Sequence, residues 1–322
     1  MMRLRWALAL LALVAGVSVL ATPAAGAASI QEVTGFGSNP GNLRMFRYTP
    51  DNLPTGRPVV VALHGCTQDA AGYGTNAGWV QLAQQWRFTL VLAQQDTANN
   101  ASRCFNWFQS GDITRGQGEA ASIAQMAQRA VADAGADPQR VYVTGLSAGG
   151  AMTAVMLATY PDVFHGGGIV AGIPYGCAAS MLEAYSCMYP GRTMTAQQWG
   201  DKVRAASGSY TGPWPTVSIW QGTADYTVAP ANEGELVKQW TNVHGTDATA
   251  DTTDTAAGYP HAVYRDGAGQ PVVETYTITG MGHGQPIDPG TGPRQCGSPA
   301  PYILDVNICA AWYLGHGWGL DG

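Results

Sequence analysis

The sequence predicts an α/β fold, with a mostly parallel central sheet covered by helices on both faces. Three observations carry that expectation. Short apolar runs rich in β-branched residues alternate with helix-like stretches long enough to serve as the crossovers of a parallel sheet. The early runs are apolar almost throughout, as strands buried on both faces are. A Gly-x-Ser-x-Gly sequence stands where one such run gives way to a helical stretch.

The runs that read as strands are 58–63 (PVVVAL), 88–93 (FTLVLA), 141–144 (VYVT), 168–171 (GIVA), 216–220 (TVSIW) and 272–279 (VVETYTIT). Helical stretches are expected at 119–134, 149–159 and 230–243, between strands that must run the same way. The segment 246–257 (TDATADTTDTAA) has the composition of a surface loop. Residues 302–314 (YILDVNICAAWYL) read as a closing amphipathic helix. No repeat or low-complexity linker interrupts this alternation. Residues 28–322 are therefore expected to form a single domain with no separate polymer-binding domain behind it.

The first 27 residues read differently. Arg3 and Arg5 precede an apolar run at 7–21, and Ala25-Gly26-Ala27 offers the small residues of a cleavage site. That pattern is a signal peptide; the run is shorter than the roughly 20 apolar residues of a spanning helix. Secretion, with no membrane partner, is the expectation. Charge excludes other classes. Only 12% of residues are charged, the formal net charge is -6, and Lys202 and Lys238 are the only lysines. A nucleic-acid binder needs clustered cations on the phosphates, so no nucleic-acid partner is expected.

Export places the six cysteines, Cys66, Cys104, Cys177, Cys187, Cys296 and Cys309, in an oxidising compartment. Six cysteines allow 15 pairings. The simplest set without nesting is Cys66 with Cys104, Cys177 with Cys187, and Cys296 with Cys309. No Cys-x-x-Cys or Cys-x-x-His spacing suggests zinc, so neither a metal nor another cofactor is expected.

The chemistry centres on Gly145-Leu146-Ser147-Ala148-Gly149, directly after VYVT and before AMTAVMLATY. A sharp strand-to-helix turn there exposes a serine hydroxyl as a nucleophile, and the flanking glycines make room for it. The hydroxyl needs a base. In α/β-hydrolases the acid and then the histidine follow the serine, each on a loop after a late strand. His283, in Gly280-Met281-Gly282-His283-Gly284 after VVETYTIT, fits best. His165, His244, His261 and His316 are read as structural or surface residues, and His261, which precedes the last long strand, is expected at the opposite sheet edge. Asp225 follows TVSIW and is the expected carboxylate; Asp251 and Asp254 lie in a stretch with nothing to hold them still. The acid would orient the imidazole and stabilise its protonated form. Two backbone N–H groups should receive the developing oxyanion. Ala148 supplies one. The other comes from Leu63-His64-Gly65-Cys66-Thr67, with Cys66 preferred and Thr67 the alternative, and His64 shaping that loop.

These residues, together with Cys104-Phe105-Asn106-Trp107-Phe108, Arg115-Gly116-Gln117-Gly118-Glu119, Tyr160-Pro161-Asp162-Val163-Phe164 and Ile173-Pro174-Tyr175-Gly176-Cys177, resemble a secreted esterase family. That family contains polyhydroxybutyrate depolymerases, feruloyl esterases and some acetyl xylan esterases, and the likeness spans most of residues 57–316. It implies an α/β-hydrolase fold with Ser147 as nucleophile, Asp225 as acid, His283 as base and Cys66 near the oxyanion. The elbow and the Ile-Pro-Tyr-Gly-Cys segment look closer to the polyester depolymerases. The expected activity is ester hydrolysis through an acyl-enzyme, on short-chain polyhydroxyalkanoate polymer or its oligomers. The alternatives are a feruloyl or acetyl xylan esterase acting on hemicellulose and a non-catalytic secreted binding protein. Trp107, Phe108, Tyr175, Trp214 and Trp220 are candidate acyl contacts, of which Trp107 is the chosen substrate-binding residue because it follows Cys104. Arg115 and Glu119 are expected to brace a helix rather than to touch substrate.

Overall fold

The computed structural model describes residues 28–322, so the expected leader at 1–27 lies outside the described residues. An N-terminal antiparallel pair, β1 (Gln31–Val33) and β2 (Arg44–Tyr48), leads into β3 (Val59–Leu63), α1 (Ala70–Asn76), α2 (Trp79–Trp86) and β4 (Thr89–Gln94). Then come α3 (Ser110–Ile113), α4 (Gly118–Ala134), β5 (Val141–Leu146), α5 (Ala148–Thr159) and β6 (Gly166–Val170). The chain continues through α6 (Met181–Met188), α7 (Ala196–Ala206), β7 (Thr216–Gly222), α8 (Ala231–His244), β8 (Thr252–Ala256), β9 (Tyr259–Arg265) and β10 (Pro271–Ile278). It closes with β11 (Gln285–Ile287), β12 (Ile303–Asp305) and α9 (Ala310–Gly317).

Ten strands form one sheet in the order β1-β2-β4-β3-β5-β6-β7-β10-β9-β8. The middle, from β4 to β10, is parallel throughout, while β1, β2, β8 and β9 complete it antiparallel. Period-two alternation splits the central strands between two cores: Val59, Val61 and Leu63 face one layer, and Val60 and Ala62 the other. The first layer packs beneath α4, α5, α7 and α8, and the second beneath α1, α2 and α9. Both faces being covered, β3, β4 and β5 are buried at every residue, which is why their sequences show no polar alternation. Each fully buried Val or Leu contributes about 1.5–3 kcal/mol of apolar transfer, so the parallel middle is the anchor for everything mounted on its ends.

Helix α5 is buried at all twelve of its positions, so it carries no polar face, and Gly149 lets it lie directly against the Leu63 carbonyl at the end of β3. A side chain there would push helix from strand. Two expectations are corrected. The stretch 246–257 is not all loop: Thr252–Ala256 forms the edge strand β8, paired with β9. Its TTDTA sequence is almost wholly exposed, which removes the hydrophobic period that reveals a strand. The closing helix begins only at Ala310, because Ile303–Asp305 is spent on the parallel pair β11–β12 and Asn307 takes a positive φ of 59° that no helix continues through.

Candidate active site

Ser147 sits between the end of β5 and the first turn of α5, with φ 58° and ψ −117°. Such a conformation costs about 1–3 kcal/mol and persists only where neighbours over-determine it. Here its N–H donates to the Val170 carbonyl (2.9 Å) and its carbonyl accepts from Ala151 N–H (2.8 Å). The turn aims Oγ out of the sheet's C-terminal edge.

The loops after β7 and β10 bring two further groups to that edge. His283 Nε2 lies 2.8 Å from Ser147 Oγ, and its Nδ1 lies 2.7 Å from Asp225 Oδ2. With Nδ1–H donating to the carboxylate, Nε2 is left as the acceptor for the hydroxyl proton. Asp225 is fully buried, yet its charge is not isolated: Oδ1 accepts from the Thr227 and Val228 amides (2.8 and 2.9 Å), and Oδ2 also accepts from Gln221 Nε2 (3.3 Å). The two loops are sewn together. Ala224 N–H donates to Met281 O (3.0 Å), Thr223 N–H to Ile278 O (3.1 Å), and Gly280 N–H to Thr223 Oγ1 (2.8 Å). Gly222 leaves room for the Met281 carbonyl where a Cβ would collide with it.

Opposite the histidine runs the loop after β3. Gly65 N–H donates to Gln68 Oε1 (2.9 Å) and Thr67 N–H to Ser102 O (2.7 Å), whereas Cys66 N–H has no acceptor among the described residues. The Thr67 amide is thus occupied and the Cys66 amide is not. Ala148 is the first residue of α5, and the amide of a first helical residue has no intrahelical partner. Cys66 is joined to Cys104, Cys177 to Cys187, and Cys296 to Cys309. His64 is wholly buried beneath this loop, against Phe105, and burial pushes its pKa down to about 4. A ring so buried offers no face to a substrate.

A cavity of about 220 Å³ opens beside Ser147 and His283, bounded by Cys66, Thr67, Met188, Thr227 and Tyr302 among others. Met188, Thr227 and Tyr302 are functional candidates that sequence reasoning missed. Met188 ends α6, a helix tied down by the Cys177–Cys187 bond and by Asn232 Nδ2 donating to Cys187 O (3.1 Å). The exposed surface of α6 is unusually apolar. The six large apolar side chains exposed among the described residues are Met181, Leu182, Tyr185, Tyr189, Tyr226 and Tyr302. Three lie on α6 and Tyr189 follows its last residue, Tyr226 adjoins Thr227 in sequence, and Tyr302 is in the cavity wall. A second cavity, about 250 Å³ between Thr216, Pro271 and Trp318, lies at the sheet's other end and has no histidine in its lining.

Trp107 is 7% exposed, packs edge-on against Phe108 in the core, and is not in the wall of the cavity beside Ser147. Trp220 is stacked on Tyr276 inside the protein. Arg115 chelates Asp162 with both terminal nitrogens (2.6 and 2.7 Å). Glu119 is buried in the first turn of α4, where it accepts from Asn106 N–H and Gln95 Nε2. His165, His244 and His316 pair with Gln139, the Pro215 carbonyl and Asp321. His261 corrects an expectation: because β9 is antiparallel to β10, it lies level with Tyr276, near the C-terminal end of β10 rather than at the far edge, held by Asp254 and Glu274. Among the described residues no helix is long and apolar enough to cross a membrane, and no cluster of three His, Cys, Asp or Glu is placed to hold a metal ion.

A family model described as Esterase PHB depolymerase matches residues 46–258. Poly(3-hydroxyalkanoate) depolymerase C of Paucimonas lemoignei is 54% identical over 304 residues, covering 94% of this chain and 73% of that protein. An acetylxylan esterase of Coprinopsis cinerea is 36% identical, covering 81% and 70%, and feruloyl esterase B of Talaromyces funiculosus is 34% identical, covering 81% and 75%. Among solved structures, an acetyl xylan esterase from Aspergillus awamori superposes with a TM-score of 0.72 at 31% identity, covering 79% of this chain and 94% of that one.

Proposed function

The chain belongs to the Esterase PHB depolymerase family and is a carboxylic ester hydrolase of the α/β-hydrolase fold, and on that premise we propose that Ser147, His283 and Asp225 hydrolyse a short-chain polyhydroxyalkanoate polyester or its oligomers. The observation that carries the chemistry is the hydrogen-bonded series Asp225–His283–Ser147. Ser147 Oγ attacks the ester carbonyl carbon while its proton passes to His283 Nε2, and Asp225 stabilises the imidazolium. The carbonyl oxygen, now negative, is received by the amides of Cys66 and Ala148. Collapse expels the alcohol end of the chain, which takes the proton from His283 and leaves an acyl-Ser147. Water then attacks the acyl group, again giving a proton to His283, and the hydroxyl of Ser147 is restored as the acid leaves. No resident cofactor enters these steps.

The substrate reading is supported by apolar side chains at the cavity. Met188 and Tyr302 in its wall offer contacts to an uncharged ester chain, and the 54% identical relative is a depolymerase by name. A second reading, acetate or ferulate release from hemicellulose, draws support from the acetylxylan and feruloyl esterase relatives. Product analysis on amorphous poly(3-hydroxybutyrate), methyl ferulate and acetylated xylan separates the two: hydroxybutyrate or its oligomers should dominate, and ferulate or acetate without them would decide for hemicellulose. Ser147→Ala tests the nucleophile, with loss of all but a trace of turnover in a folded protein expected; full activity would overturn Ser147 as the nucleophile, and a wild-type protein without esterase activity would favour the binding-protein alternative. Residues 1–27 are read as an export leader and 28–322 as one catalytic unit acting outside the cell, a reading supported by three disulfides. N-terminal sequencing of the exported protein checks it.

A further inference from the structure

We propose that Tyr302 is a specificity-determining residue that receives the alcohol side of the ester, the part of the chain that departs when Ser147 is acylated. This role rests on the reading of Ser147, His283 and Asp225 as the hydrolytic series. Ala300-Pro301-Tyr302-Ile303 forms a tight turn, in which Ile303 N–H donates to Ala300 O (2.9 Å) and Tyr302 takes a φ of 62°. A turn with proline second and a positive φ third ordinarily carries glycine there, because a side chain at positive φ crowds its own backbone. Tyrosine in that place is strained. Three anchors impose the conformation: Tyr302 O accepts from Gln285 N–H (2.8 Å), Pro301 O accepts from Gln68 Nε2 (3.0 Å), and the Cys296–Cys309 bond closes the loop around the turn. Gly284 makes room for the first, since a Cβ there would run into Tyr302 O. Packing does not account for the strain, because the ring is 48% exposed and belongs to neither core layer. What the ring does meet is the imidazole of His283, edge to face, with centroids 6.0 Å apart.

The reaction fixes what such a ring would touch. Once Ser147 Oγ has attacked, the alcohol oxygen leaves by taking the proton that His283 Nε2 holds. That oxygen must stand within hydrogen-bond reach of Nε2, so the carbon it carries lies beside the imidazole, on the side away from the acyl group. Tyr302 is the aromatic ring of the cavity wall against that imidazole, and Thr67 and Gln68 belong to the same wall. A hydroxyalkanoate polyester presents there an alkyl-bearing carbon and a methylene, apolar groups that an aromatic ring takes up. Past Gln68 a second cavity of about 280 Å³ opens, with Thr67, Gln68, Asn76 and Pro301 in its lining. An alcohol portion longer than one repeat unit therefore has room to continue beyond the ring.

The test reads kcat/KM, which reports acylation and so the half-reaction in which the alcohol is still attached. Two soluble series are compared: ethyl, propyl and butyl butyrate, which lengthen the alcohol, and ethyl acetate, propionate and butyrate, which lengthen the acyl group. From ethyl to butyl alcohol the wild-type enzyme should gain roughly 10-fold, and Tyr302→Gly should cut that gain to about 2-fold while keeping the wild-type ratios in the acyl series. Tyr302→Phe, which keeps the ring, should keep the gain. The Tm of Tyr302→Gly should be no lower than that of the wild type, because glycine suits the positive φ. A wild-type enzyme indifferent to alcohol length overturns the proposal whether or not any variant folds. So does a Tyr302→Gly enzyme with the wild-type gain, one changed only in the acyl series or one several degrees less stable, and so does loss of the gain in Tyr302→Phe. Ser147→Ala run in parallel separates the two levels. If it retains turnover, the site reading fails and the role of Tyr302 falls with it; if it is inactive while Tyr302→Gly keeps the wild-type gain, only the role of Tyr302 fails.

Discussion

Among the described residues two aspartate–histidine pairs share the same 2.7 Å length, and only one of them has a serine hydroxyl on the far ring nitrogen. Asp225 is fully buried and receives two amides and a glutamine besides its histidine. The side chain of Asp254 is 58% exposed on the edge strand β8, and its partner His261 is shared with Glu274. The difference lies in what holds the carboxylate. A fixed, many-donor carboxylate keeps one imidazole in one orientation, while an exposed one on a polar edge offers a charge but no direction.

Breaking each pair in the same way should give opposite results. Asp225→Asn is expected to lower kcat by about 10⁴-fold, the scale on which a wrong histidine tautomer costs such a triad, whereas Asp254→Asn should leave kcat within about 2-fold. Steady-state kinetics on a soluble ester checks both, and comparable losses would erase the distinction. His283→Ala against His261→Ala is the matching test on the base, with turnover lost to near background in the first, on a scale of about 10⁴–10⁶-fold, and largely kept in the second.

Glu119 sharpens the contrast as a buried acid with only two donors. Burial pushes its pKa up to about 8, against the lowering effect of its bonds to Asn106 and Gln95. The folded state thus favours the neutral form. Its contribution to stability is fully present below about pH 4.5 and is lost as pH rises through about 8. Glu119→Gln should flatten the fall of Tm between pH 6 and 9 by roughly 2–4 °C, the scale of about 1 kcal/mol in a domain of this order; an unchanged slope would remove Glu119 as the cause. The smallest effect belongs to the edge pair. Glu274, then Asp254, raise the pKa of His261, so its protonated form stabilises the fold below about pH 6.5 and that support disappears as pH rises through the raised value. Because the pair is partly solvated, the expected change is local: faster amide exchange in β8 and β9 at higher pH, abolished in His261→Gln, with Tm moving by about 1 °C or less.

The parallel middle of the sheet was legible because its early strands are apolar almost throughout and buried on both faces, and the elbow because a strand, a glycine turn and a helix follow one another within a few residues. Ser147, His283 and Asp225, whose side chains the fold brings together, were picked out by their order along the chain. What stayed hidden has a common cause. The exposed TTDTA of β8 and the apolar residues that α6 turns outward contradict the pattern of burial from which elements are read. Met188, Thr227 and Tyr302 reach one cavity from separate loops, a meeting that tertiary packing creates and local sequence does not announce. The signal that could have found Tyr302 is its place shortly before Cys309, whose bond to Cys296 ties down the segment following the histidine loop.

Crosslinks stand on two sides of the cavity. One wall carries Cys66, bound to Cys104, and the other ends at Met188 beside Cys187, bound to Cys177. Each bond restrains the backbone beside its wall, so for the proposed polyester substrate the conformational search should fall mainly on the polymer. Chain ends, oligomers and loosely ordered segments can thread a fixed aperture, while segments locked into a crystalline lattice must first come loose. Hydrolysis of amorphous films should therefore outrun that of crystalline ones of equal area, with the melting of the polymer surface, rather than any closure of the protein, setting the pace.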